Sequence, residues 1–176
     1  LEPSTLSSRC PMPQILPIAH EHIVGFRDAL GSVARERAYL AHIDAPSLEW
    51  ATDFVTNNIA MGHAQCVAVE QGRVVGWCDI LPNPRPGFGH SGSVGMGVLR
   101  EWRGQGLGKA LLEACIRKAF ANGLTRIELE VYADNANAIA LYRRLGFVEE
   151  GLKRRARVFD GRSQDLLLMA LLQDAD

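Results

Sequence analysis

The stretch from Ser93 to Leu112 limits what this chain can fold into more than any other. It opens as a short strand with Val94, Met96 and Val98 on one face. After a tight turn it becomes an amphipathic helix, with Leu107, Leu111, Ala114, Cys115 and Lys118 at helical spacing. The turn reads Arg103, Gly104, Gln105, Gly106, Leu107, Gly108, Lys109. Alternate glycines remove Cβ atoms where a ligand must approach the main chain, and they permit φ > 0. Successive N–H groups then point into one concavity at a helix N-terminus, which suits a pyrophosphate. Two familiar phosphate loops fail here. The dinucleotide fingerprint needs glycine at Lys109, and the nucleoside-triphosphate loop needs glycine at Arg103 with Ser or Thr at Ala110.

Two ordered motifs carry a resemblance. Arg103-x-x-Gly106-x-Gly108, after a strand ending in Met96, Gly97 and Val98, resembles the acyl-CoA pyrophosphate loop of the GNAT superfamily of N-acetyltransferases. The segment from Val131 to Phe147, with Asn135 and Tyr142, resembles the second motif of that superfamily, in its phosphinothricin-type and ribosomal-protein branches. The resemblance covers roughly Cys66 to the C-terminus. It implies acetyl-CoA as co-substrate, and two adjacent parallel strands that part to admit it.

Length and patterning agree with this. At 176 residues the chain suits one domain with a sizeable core. The net charge of −1 implies no polyanion partner, so nucleic-acid binding is disfavoured. No apolar run reaches the ~18 residues of a membrane span, and no signal peptide is evident. The expectation is a cytoplasmic protein. Residues 1–13, rich in Ser and Pro, read as a flexible tail or expression remnant, and 14–176 as the N-acetyltransferase domain. Cys10, Cys66, Cys78 and Cys115 lack metal or disulfide spacing, and the histidines form no helical pair, so neither a disulfide nor a metal is expected.

Strand signals fall at 14–18, 65–70, 73–81, 93–98, 125–131, 147–157 and 166–172, with turns at Gln71-Gly72 and Asp160-Gly161. Helical spacing runs over 20–41, with a break or kink at Gly31-Ser32, then over 48–59, 107–121 and 135–145. The order predicts a single-domain α/β layered fold: one mixed, mostly antiparallel sheet of about seven strands flanked by about four helices. The loop from Pro82 to Gly92 offers Phe88 and His90 as a substrate wall or as solvent-facing residues.

The resemblance also assigns roles. Backbone groups from Met96 to Val98 meet the pantetheine and thioester, while N–H groups of Arg103, Gly104, Gln105, Gly106, Leu107, Gly108 and Lys109 surround the pyrophosphate. Asn135 contacts the pantetheine arm, and it is equally an N-cap. Tyr142 protonates the departing thiolate; its other reading is a packed helix residue. Glu130 matches the base proposed in ribosomal-protein N-terminal acetyltransferases. It shares a strand face with Glu128, and a solvent-facing pair of acids is the alternative. Asp79 is a weaker competitor for that role. Cys78 and Cys115 have no histidine partner, which argues against a cysteine nucleophile. A lysine-type amine must lose roughly 4 kcal/mol of protonation near neutral pH and an α-amine far less, which favours α-amino acceptors. The expected activity is direct acetyl transfer to a primary amine, an amino acid or related small molecule. A protein N-terminal acetyltransferase and a non-catalytic acyl-CoA sensor are the alternatives. The resemblance also implies a homodimer.

Overall fold

The computed structural model describes residues 12–173. Seven strands form one sheet: β1 (Gln14–Pro17), β2 (Ala64–Glu70), β3 (Arg73–Pro82), β4 (Ser91–Val98), β5 (Arg126–Tyr132), β6 (Val148–Phe159) and β7 (Arg162–Leu172). Across the sheet they run β1-β2-β3-β4-β5-β7-β6, and only β4 with β5 is parallel. Four α-helices complete the domain: α1 (Ile23–Ala34), α2 (Leu48–Met61), α3 (Leu107–Ala121) and α4 (Ala136–Arg144). The expected single-domain α/β fold is present. Apart from Met12 and Pro13, the expected tail lies outside the described residues, as does Cys10.

Alternation along β3 and β4 separates two faces. Trp77 of β3 meets Phe26 of α1 edge-on, with ring centroids 6.0 Å apart. Its neighbour Gly76 faces Leu111 of α3. By the period of two, Asp79 of β3 and Gly95 and Gly97 of β4 share the α1–α2 side, whereas Met96 and Val98 share the α3 side. Phe26, Val55 and Val67 are buried, as are Leu107, Leu111, Leu112, Cys115 and Ile127. Among the described residues, no helix is long and apolar enough to cross a membrane.

The first helical region differs from expectation. It begins as a 3-10 turn, His20–His22, and α1 stops at Ala34. Glu36 and Arg37 donate their N–H groups to the carbonyls of Val33 and Ala34, and Arg37 takes φ 57°, so the helix cannot continue. Gly31 does not break it. A Cβ there would stand 2.5 Å from that of Ala45, so the glycine lets the returning chain lie against the helix. Ser47 caps α2 by accepting from the N–H of Trp50, and Gly62, at φ 66°, ends it.

β4 starts at Ser91, earlier than its spacing suggests, because Ser91 and Gly92 already pair with Arg126 and Ile127 of β5. The loop before it is correspondingly short. Phe88 and His90 are exposed at the beginning of β4, the opposite end of that strand from Val98. They do not line the cleft described next.

Candidate active site

β4 and β5 pair only through Ser91 with Arg126, Gly92 with Ile127, and Ser93 with Glu128. Past that point β4 stays registered with β3 as far as Val98 is reached, and β5 stays registered with β7 up to Tyr132. The two facing edges therefore part into a V. From Val94 onward, main-chain groups on the inner edge of β4 have no strand partner and are open to an extended ligand. Counting on from Ser93 and Glu128, Gly95 and Glu130 stand at one level on opposite sides of the gap, as do Gly97 and Tyr132.

The glycine loop lies just beyond the end of β4. Gly104 and Gly106 adopt φ 73° and 85°, and a Cβ on either would meet nothing within 4 Å. That empty cradle sits at the N-terminus of α3, a helix of 15 residues. Its first intrahelical bond runs from the N–H of Ala110 to the carbonyl of Gly106, which leaves the N–H groups of Leu107, Gly108 and Lys109 without intrahelical partners. The arrangement fits a pyrophosphate. Gly108 differs: it is helical, and a Cβ there would make ordinary contacts, 3.5 Å from Met96 Cε and 3.6 Å from Leu141 Cδ2. Lys109 pairs with Glu113 at 3.8 Å and Gln105 donates to the carbonyl of Glu101 at 3.1 Å, so neither side chain is fixed toward the cradle.

Gly106→Val is expected to weaken acetyl-CoA binding at least tenfold with the circular dichroism unchanged. A β-branched residue opposes positive φ and pushes its side chain into the ligand's space. Calorimetric titration checks this, and unaltered affinity in a folded variant would remove the loop from the coenzyme site.

The Arg103 side chain turns away from the cradle. Its Nη1 and Nη2 donate to the two oxygens of Glu36 at 2.9 and 2.6 Å, and Nε donates to the carbonyl of Val98 at 2.8 Å. Its guanidinium also lies over the ring of Tyr39, 4.9 Å from the centroid. The glycine loop is thus tied to the chain that follows α1. Glu36 and Tyr39 from that segment, Asn135 from the start of α4, and Phe159, Arg162 and Gln164 from the β6–β7 hairpin border a cavity of about 770 Å³.

Asn135 caps α4 by accepting from the N–H of Ala138 at 3.2 Å. One face of α4 carries Ile139 and Tyr142 inward. Tyr142 is 8% exposed, and its ring lies 5.8 Å from that of Phe147. Burial, and then the nearby Cys78 thiol, raise its pKa above the usual phenol range, so the hydroxyl keeps its proton at neutral pH. The residue before it, Leu141, lies with Met96 of β4 within 4 Å of the Gly108 Cβ position, which brings α4 to the α3 side of the gap. Glu130 sits on the opposite side, exposed, with Lys153 of β6 hydrogen-bonded to it.

Asp79, by sequence the weaker competitor for the base, is 7% exposed on the α1–α2 side, directly across from Gly95. Burial alone pushes its carboxyl up to about 7. The Cys66, Cys78 and Cys115 thiols are buried together under α3 and held neutral, their pKa values raised.

A parted parallel strand pair, a phosphate cradle at its mouth and a buried phenol beneath it define an acyl-CoA acyltransferase cleft. The profile of the acetyltransferase (GNAT) family matches residues 33–147, and the chain belongs to that family of N-acetyltransferases. It is 36% identical over 111 residues to an L-amino acid N-acetyltransferase of Escherichia coli, covering 62% of this chain and 68% of that protein. Its fold matches a ribosomal-protein-alanine N-acetyltransferase from Brucella melitensis, TM-score 0.85 and 27% identity over 91% of this chain and 99% of the other. It also matches a Sinorhizobium meliloti phosphinothricin acetyltransferase solved in complex with acetyl-CoA, TM-score 0.85 and 20% identity, over 91% and 88%.

Proposed function

We propose that this protein transfers the acetyl group of acetyl-CoA to the α-amine of an amino acid or a closely related small molecule. The parting of β4 and β5 beside the glycine cradle is the observation that carries this reading. Acetyl-CoA supplies the activated acyl group. Free N–H groups near Val98 hold its arm and polarise the thioester carbonyl, those from Arg103 to Lys109 hold its phosphates, and Asn135 borders the arm. Tyr142, kept protonated by burial, delivers a proton to the departing sulfur. Glu130, to which the resemblance gives the part of base, faces the acceptor side exposed and paired with Lys153.

The acceptors named for two similar proteins, an L-amino acid and a ribosomal-protein alanine, support an α-amino acceptor. Thiol release from acetyl-CoA, measured with a panel of L-amino acids and with an Ala-initiated peptide, tests the assignment. Turnover with the peptide alone would move it to protein N-termini, and binding without release would make the protein an acyl-CoA sensor. In this reading the protein is a homodimer of the cytoplasm, and light scattering tests the assembly.

A further inference from the structure

β2 and β3 bring two buried polar side chains together on the acceptor side of the sheet. Gln65 is the cross-strand partner of Asp79, and both are buried, at 3% and 7% exposure. Directly opposed residues of an antiparallel pair hold their Cβ atoms about 5 Å apart, so the two side chains are neighbours. The Gln65 oxygen accepts from Asn58 Nδ2 of α2 at 2.8 Å, and His63 Nδ1 lies 3.3 Å from the Asn58 oxygen. This fixes the amide orientation and turns Gln65 Nε2 away from Asn58. Among the described residues that nitrogen is the one fully buried side-chain polar atom without a hydrogen-bond partner. An unpaired buried donor beside a carboxylate is costly unless the two serve each other.

The Asp79 carboxylate leans over β4. A Cβ on Gly95 would fall 2.9 Å from its Oδ1, so glycine is what lets the carboxylate lie there. Gly95 is two residues past Ser93, the last β4 residue paired with β5, where the V has opened. No ion pair or hydrogen bond with a basic group holds Asp79 among the described residues. Glu130, at the same level across the gap, is by contrast exposed and paired with Lys153.

We propose that Asp79 is a catalytic residue that takes the proton from the acceptor's ammonium group, with Gln65, whose unpartnered Nε2 stands beside it, as the positioning residue that turns to the carboxylate when it ionises. The proposal rests on the N-acetyltransferase reading. The ammonium nitrogen gives one proton to an Asp79 oxygen and becomes a free amine, whose electron pair forms the bond to the acetyl carbon. The carbon–sulfur bond then breaks, and Tyr142 protonates the sulfur. The nitrogen's second proton restores Tyr142 through solvent, and Asp79 releases its proton to the cleft. Per turnover one proton leaves, as conversion of an ammonium ion and a thioester to an amide and a thiol requires. Glu130 stays at the entry as counter-charge to the incoming ammonium.

The surroundings of Asp79 make it a suitable base near neutral pH. Burial raises its carboxyl to about 7, close to the proton it must accept. β4 presents Gly95, and the buried residues of α1 and α2 include no titratable group. β2 adds Gln65 and the neutral Cys66 thiol. Cys78 and Cys115, also neutral, lie toward α3, and Glu130 stands across the gap.

Three variants and two readouts test this. With L-amino acid acceptors, wild-type kcat is expected to rise through pH 7. Asp79→Asn should lower kcat about 100-fold or more and abolish that limb, leaving acetyl-CoA affinity within a few-fold. Glu130→Gln should keep the limb and raise the amine KM. Gln65→Met should move the midpoint upward, because a donor that favours the carboxylate is gone. Independently of turnover, carboxyl ¹³C resonances of Asp-labelled protein should show one group titrating near pH 7 that is missing from Asp79→Asn. The proposal falls if Asp79→Asn keeps wild-type kcat, if Glu130→Gln alone erases the limb, or if no Asp titrates above the ordinary range. A wild-type protein that binds acetyl-CoA yet is silent with every amine overturns the transfer reading itself, and this proposal with it.

Discussion

Replacing Tyr142 by Phe should lower kcat by about 10²-fold or more while acetyl-CoA affinity stays within a few-fold. The phenol is asked to act only as the carbon–sulfur bond breaks, so its contribution belongs to the transition state. Ground-state loss is limited to about 1 kcal/mol, the net worth of one hydroxyl hydrogen bond. Phe retains the ring contact with Phe147 and the packing beside Ile139, which makes it a cleaner probe than Ala. The deficit should shrink with acyl donors whose thiol is more acidic, because their leaving group needs less protonation. Pre-steady-state thiol release measures this directly. Wild-type turnover in the variant would reduce Tyr142 to a packing residue.

Asp79→Asn should raise thermal stability above pH 7 even as it removes activity. The native state holds the Asp79 proton up to about pH 7, whereas the unfolded chain releases it near 3.8. Stability from this group is therefore complete below about pH 4, falls as the pH climbs toward 7, and stays low above it. The difference amounts to about 4 kcal/mol at most. Asn is never charged and escapes the loss. For a chain of this size the melting temperature of the variant should exceed that of wild type by about 10 °C at pH 8, with the gap closing near pH 4. Scanning calorimetry at both pH values decides it. Equal melting temperatures at pH 8 would mean that the carboxyl is not desolvated.

Much of the fold was legible because the signals were local. The Gln71-Gly72 and Asp160-Gly161 turns, the Ser47 cap and the Gly62 stop lie where their residue types require them. The glycine loop was legible for the same reason, since the positive φ that Gly104 and Gly106 adopt is a conformation glycine takes without steric cost. Features that depend on distant chain were not. Gly31 looked like a helix breaker because Ala45, which packs on it, is fourteen residues away. The parting of β4 from β5 leaves no trace in alternation; it entered through resemblance to a family. Asp79 sits in the apolar run from Val74 to Leu81, where nothing local separates a strand-end carboxylate from a buried one. Its partner Gln65 lies on another strand, and Gly95, which makes room for it, on a third.

The bidentate contact between Arg103 and Glu36 has a kinetic consequence. The loop that receives the coenzyme and the segment that borders the amine cavity are one mechanical unit, joined across 67 residues of sequence. Coenzyme seated on that loop stiffens the far wall before the amine arrives, so substrates should add in compulsory order, acetyl-CoA first. CoA should then inhibit competitively against acetyl-CoA and non-competitively against the amine. Glu36→Gln loosens the linkage, and it should raise the amine KM several-fold more than that for acetyl-CoA while the order of addition turns random.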